Sequence, residues 1–379
     1  MEHRKIYFIC CIIIVGLLLS CTNHHNDLAI TMSEDVIGKS STEEIFNIKK
    51  TKLVFLEQDS NVLVGEINKM ISCKDDLFVL SRSGNDIYNL FRYTLDGQFI
   101  NKIGSMGGSG KEYIQISTFF IQGDKVYIID SYRNKMLVYS FDGTFIQSVK
   151  GADGDFAHVL DAVSIDDENV LLYNGLNTDP CALFTMYNIP KKKVINEIHT
   201  DISADCWGYY SNKRLTRNSN GAFFFLPFDK GIYTINADMT EEKAMQVDYL
   251  GEVPAYSSAQ YDEIEKIVYD ADVSLFWSIF ANEQKFLINF MPGSIIWDIS
   301  QQQGRYIPES LDCTNNIFPF VGTSVKCATE DGFITVFDDD SFKAIIREHN
   351  PSDLFNNSEG EIQRNLYDGS PVIVRFYLK

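Results

Sequence analysis

One stretch constrains the fold of this 379-residue chain more than any other. Residues 88–151 carry a single pattern twice: an aromatic-rich strand, an Asp-Gly turn and a returning strand. Tyr93, Asp96, Gly97, Phe99, Ile100 and Ile103 recur as Tyr139, Asp142, Gly143, Phe145, Ile146 and Val149, each pair 46 residues apart. A fixed period of this length is the signature of a repeat array. Asp and Gly between two strands supply the left-handed backbone positions of a tight hairpin. Asp96-Gly97 and Asp142-Gly143 are therefore read as architecture.

The echo extends along the chain as a series of compact apolar strands. They begin at Leu77, Val126, Val170, Phe223, Phe286 and Phe333, and a turn signal precedes each: Asp75-Asp76, Gly123-Asp124, Asp166-Asp167, Asn220-Gly221, Asn282-Glu283 and Asp331-Gly332. The intervals are 49, 44, 53, 63 and 47 residues. Most lie near the roughly 40–50 residues of a four-stranded propeller blade. The longest interval contains residues 258–270, where Tyr261, Ile264 and Val268 fall at helical spacing. The expected fold is all-β: a six-bladed β-propeller of four-stranded antiparallel blades, with a short helical insertion between blades four and five. A further strand follows each marker, and the last, Pro371 to Leu378, is placed to share a sheet with a strand near Lys52. Such sharing removes the open seam of the ring. A sandwich gives no reason for the 46-residue echo, a solenoid leaves ends that need caps, and alternating helices are missing.

Composition bears on partners. Phe (27) and Tyr (19) favour strands, while the formal charge of −19 repels nucleic-acid phosphates, so nucleic acid is not expected as a partner. The first twenty residues read as an export signal: Arg4 and Lys5, then the 14-residue apolar run Ile6 to Leu19. That run is short of the roughly 20 residues of a spanning helix. It ends in Leu18-Leu19-Ser20-Cys21, which resembles a bacterial lipobox whose cysteine is lipidated. The expected organisation is a signal peptide over 1–20, a lipid-anchored tether over 21–50 and the propeller over 51–379. Thr22 follows Cys21 where an Asp would argue for inner-membrane retention, so the outer membrane is the expected location. The membrane face, periplasmic or surface, stays open. Of eight cysteines, Cys73, Cys181, Cys206, Cys313 and Cys327 lie beyond Cys21. Five cannot all pair, and no spacing suggests a disulfide framework or a zinc site.

The sequence from Phe99 to Gly104, the glycine-rich Gly107 to Tyr113, the strand from Val126 to Asp130 and the Phe141-Asp142-Gly143 turn together resemble an NHL-type propeller repeat. The arrangement is similar to six-bladed β-propeller lipoproteins of anaerobic gut commensals, whose glycine-rich segment reads like G-x-G-P-G-E-Y. Here Ser109 stands at the proline position and Lys111 at the last glycine. The resemblance implies the fold and an envelope location, and it assigns no reaction.

Candidate chemistry is sparse. The glycines from 104 to 110 do not form a phosphate loop, because Ser105 occupies the first glycine position and Glu112 the hydroxyl position. Acidic clusters at Asp153-Gly154-Asp155, Asp166-Asp167-Glu168 and Asp338-Asp339-Asp340 lack calcium-loop spacing. His158, His199 and His349 fall in different predicted blades, which leaves a three-histidine site around the axis geometrically open. The aromatic group Trp207, Tyr209 and Tyr210, with Phe228, is the candidate binding surface; such side chains stack on sugar rings. The leading expectation is a ligand-binding or interaction scaffold without a resident cofactor, for a glycan, a peptide or an envelope protein. The second is a hydrolase or lyase, lactonase-like or amidating-lyase-like, using Ca²⁺ or Zn²⁺ at the central channel.

Overall fold

Six sheets of consecutive strands make up the computed structural model. It describes residues 30–33, 36–84, 86–174, 182–199, 215–219, 221–225, 229–236, 241–248, 276–290, 293–308, 324–337, 339–348, 350–358, 360–362 and 371–379. The expected helical insertion at 258–270 lies outside the described residues.

The blades span 66–102, 118–150, 159–199, 215–246, 276–308 and 325–377, and in each the strands pair antiparallel in chain order. The innermost strands are Glu66–Cys73, Thr118–Gln122, Val159–Ser164, Leu215–Asn218, Phe276–Ala281 and Val325–Thr329. Each meets the innermost strand of the next blade, and the sixth returns to the first, so the ring is closed. This is the six-bladed propeller expected from the repeat.

The marker strands are the second strands of the blades, and their continuous apolarity has a direct cause. A second strand is covered on both faces, because a neighbouring blade packs on each side. Side chains alternate across a strand, so one strand feeds two cores. Leu77 and Val79 enter the core between blades six and one, whereas Phe78 and Leu80 enter the core between one and two. Val126 and Ile128 join the latter, and Tyr127 and Ile129 join the core between blades two and three. Six apolar cores result, one per blade interface.

The Asp-Gly turns join third to fourth strands. Gly97 has φ +89° and Gly143 φ +84°, a region that L residues rarely adopt. A register shift immediately precedes the same tyrosine in both repeats, between Arg92 and Tyr93 and between Val138 and Tyr139. The glycine-rich crossing from blade one to blade two is also architectural: the Tyr139 hydroxyl donates to the Lys111 carbonyl and the Lys135 ammonium to the Glu112 carbonyl.

The segment expected to be a tether is built into the ring from Ile30 onward. Ile30–Thr31 adds a parallel fifth strand to the outer edge of blade four, against Met245 and Gln246. Ile37–Lys39 does the same on blade five, against Gly304 to Tyr306. A short helix, Thr42–Ile45, then leads to Phe46, which is fully buried with its ring centroid 5.0 Å from that of Phe376. Lys52–Val54 completes blade six by pairing antiparallel with Ile373 to Arg375. An outer blade edge presents unpaired N–H and C=O groups, and this strap covers two such edges before closing the third sheet. Ordered structure therefore begins about twenty residues earlier than the turn-and-strand pattern indicates, because strands of two or three residues leave no periodicity to read.

Candidate functional site

First strands also pack between blades on both faces, but their inner edge is open to the axis rather than paired with another strand. Polar side chains are tolerated there, and they gather. A cavity of about 430 Å³ on the axis is lined by residues of all six first strands, or of the turns that end them. A second cavity of about 290 Å³ lies toward the opposite end and shares Lys69 with the first.

Between the two cavities lies an ion pair that crosses the ring from blade one to blade three. Lys69 Nζ is 2.5 Å from Asp161 Oδ1, and it also donates to Thr118 Oγ1 at 2.9 Å and to the Ala162 carbonyl at 3.3 Å. The ammonium stands 5.5 Å from the centroid of Phe119. Both side chains are buried, at 9% and 3% exposure, so the pair forms a floor that divides the channel.

The rim of the larger cavity is tied by side-chain hydrogen bonds from blade to blade. Ser164 Oγ donates to the Ile121 carbonyl at 3.2 Å, and Arg217 Nη1 donates to Ser164 Oγ at 2.6 Å. Asn218 Nδ2 reaches the Asn282 carbonyl at 3.4 Å, and Asn282 Nδ2 reaches the Thr329 carbonyl at 3.0 Å. Glu283 accepts from the Ser219 backbone N–H at 2.9 Å and from its hydroxyl. These links hold the ends of the first strands of blades four, five and six at one level. Arg217 is the last residue but one of its strand, and Lys326 stands three residues before the end of its own. At about 3.3 Å per residue, Lys326 lies roughly 7 Å deeper than Arg217.

Lys326 is the least compensated of these charges. It lines the cavity, and burial holds its ammonium below the usual lysine range, partly offset by the more distant Glu66. No ion pair or hydrogen bond joins its side chain to another described residue. Cys73 and Cys327 also reach the cavity wall, and among the described residues no disulfide joins either of them. They serve different interfaces, Cys327 between blades six and one and Cys73 between one and two. Burial raises the Cys73 thiol above its ordinary value.

Lys69, Asp161, Arg217 and Lys326 are not distinguished in the sequence by any motif, and their spacing gives only a loose signal. They stand eight, nine, six and seven residues before the apolar strands that start at 77, 170, 223 and 333. The offset varies from six to nine residues, and blades two and five carry no charge in that window, so the spacing alone does not mark the axis-facing strand. The expected binding aromatics Trp207, Tyr209, Tyr210 and Phe228 lie outside the described residues, as do Cys21 and His349. The arrangement of histidines around the axis does not hold for the other two. His158 and His199 flank a single blade and line a groove of about 790 Å³ on blade three, because His199 ends the strand furthest from the axis. His199 Nε2 is 3.1 Å from Glu197 Oε2. Among the described residues, no group of three or more His, Cys, Asp or Glu side chains is gathered as a metal site. None of the described helices is long and apolar enough to cross a membrane.

Comparisons with known proteins follow the architecture. A crystal structure of a Bacteroides fragilis protein described as exported superposes with a TM-score of 0.69 at 14% identity, covering 93% of this chain and 99% of that one. A member of the DUF4221 family from Bacteroides vulgatus gives 0.51 at 10% identity, over 88% and 99% of the two chains. At these identities the likeness is one of fold. A search of curated proteins returned no match. The match to a family model runs over residues 31–376, from the strap to the closing strand, and by it the chain belongs to DUF4934, a domain of unknown function.

Proposed function

We propose that this chain is an exported binding protein of the cell envelope that seats its ligand in the axial cavity. The observation that carries the reading is the cavity itself, about 430 Å³, walled by all six blades and rimmed by Ser164, Arg217, Ser219 and Glu283. That volume lies within the usual range for small-molecule sites, roughly 300–1,000 Å³. Its mouth is held open by blade-to-blade hydrogen bonds, so little ordering is required on binding. Glycan fragments and short peptides fit this description. The test is a thermal-shift screen of the full chain against such fragments, repeated on Ser72→Trp, whose indole would fill the cavity from blade one. Fragments that stabilise the wild type are expected to lose their effect on the variant. Fragments that stabilise both equally, or that are turned over, overturn the reading.

The lipobox-like Leu18-Leu19-Ser20-Cys21 supports attachment to the outer membrane by lipid on Cys21. Two or more acyl chains anchor stably where one does not. Cys21→Ala is expected to abolish labelling by radioactive palmitate and to release the protein from the membrane fraction. Unchanged labelling refutes the anchor.

A further inference from the structure

We propose that the ligand carries an oxyanion, a carboxylate or a phosphate, which is held between Lys326 inside the cavity and Arg217 at its rim. The inference rests on the axial cavity being the ligand seat and adds the chemical class of the ligand.

The charge distribution points this way. The chain as a whole carries −19, yet among the described residues the charged side chains of the cavity wall are three cations and one acid: Lys69, Arg217, Lys326 and Glu283. Lys69 is neutralised by Asp161. Glu283 is engaged by the backbone N–H and hydroxyl of Ser219. Beyond the wall, Glu66 is bound by Arg82 at 2.8 Å, and Asp166 is held by the Glu168 and Asn169 backbone N–H groups and the Asn169 side chain. Lys326 and Arg217 are left as the two cations without an ion-pair partner among the described residues. Arg217 spends one N–H on Ser164 and retains others.

Burying an ammonium without a counter-charge is costly. The fall in the Lys326 pKa expresses that cost. A ligand oxyanion would remove it. The vertical offset of roughly 7 Å between the two cations suits either two oxygens of one elongated ligand or one oxyanion reached by two long side chains. Low-dielectric walls strengthen either contact relative to water. The surrounding acidic surface disfavours non-specific anions, so selection depends on the remainder of the ligand filling the cavity.

The test uses three hexose-sized probes on the purified full chain at constant ionic strength: glucuronate, glucose 6-phosphate and glucose, with binding read by calorimetry. At least one charged sugar is expected to bind about tenfold or more tightly than glucose. Which of the two binds better separates a carboxylate from a phosphate ligand. Lys326→Met is expected to weaken that binding about tenfold or more, while Lys326→Arg largely restores it. Arg217→Gln, at an exposed position, gives a second loss that does not depend on tolerance of the core. The proposal is overturned if neither charged sugar binds, or if Lys326→Met and Arg217→Gln leave their affinity unchanged. It is also overturned if glucose binds as tightly and is blocked by Ser72→Trp, and that result leaves the cavity as ligand seat intact.

Discussion

Asp161→Leu, with Lys69 left in place, is expected to destabilise the full chain by about 3–5 kcal/mol, read as a loss of unfolding free energy in denaturant. The expectation follows from burial rather than from the ion pair as such. Two buried charges in mutual contact roughly offset their own desolvation, whereas one of them alone does not. Among the contacts described, Lys69 would keep Thr118 Oγ1, the Ala162 carbonyl and the face of Phe119, none of which is a counter-charge for an ammonium at 9% exposure. The same logic predicts that Lys69→Met combined with Asp161→Leu costs less than either single change plus the other. The resulting coupling energy measures how far the two sites act as a unit. If the single substitutions cost no more than about 1 kcal/mol, the pair behaves like an exposed salt bridge and the channel floor is wet.

Phe46→Ala is the second large effect, again about 3–5 kcal/mol. Phe46 lies in a part of the sequence with the composition of a linker, yet its ring is fully buried against Phe376 in the core shared by blades five and six. The backbone around it is bound as well, since Asn47 N–H donates to the Tyr377 carbonyl at 2.7 Å. Lys49→Ala and Lys50→Ala, at exposed positions nearby, are expected to stay within about 0.5 kcal/mol. Equal and small effects at all three positions would mean that the strap is not part of the folded domain. A match to the family that already begins at residue 31 argues the other way.

The contrast between second and first strands explains what could be read from the sequence. The run Leu77-Phe78-Val79-Leu80 is visible because both of its faces are buried, and its equivalents recur at blade intervals. The strand Glu66–Cys73 is harder to see, since Asn68, Lys69 and Ser72 interrupt the apolar residues it gives to two interfaces, and a bulge between Ile67 and Lys69 breaks its alternation. The strap is harder still. Its apolar residues come in ones and twos, Met32, Val36-Ile37 and Ile45-Phe46; the first three pack in the core between blades four and five and the last two in that between five and six. The cavity charges escaped notice for a third reason. Lys69 and Asp161 are 92 residues apart, and only closure of the ring brings them together. The cavity charges fall six to nine residues ahead of an apolar strand, a spacing too loose to single them out before the first strand is known to line the axis.

The closing strand also sets an order in time. Blades one to three are each made from one continuous stretch, so each can form as soon as its own residues are available, with short loops to close. Blade six cannot. Lys52–Val54 is synthesised before any blade, but its partners, Ile373 to Arg375, come near the very end of the chain. Long-range pairing of this kind is slow because the closure entropy is met before the contact forms. The residues that bind the ring together are thus the first to be made and among the last to find their place. Until the final strand arrives, blade six lacks both its third strand and its tie to the start of the chain, and the sixth wall of the axial cavity is not locked in place.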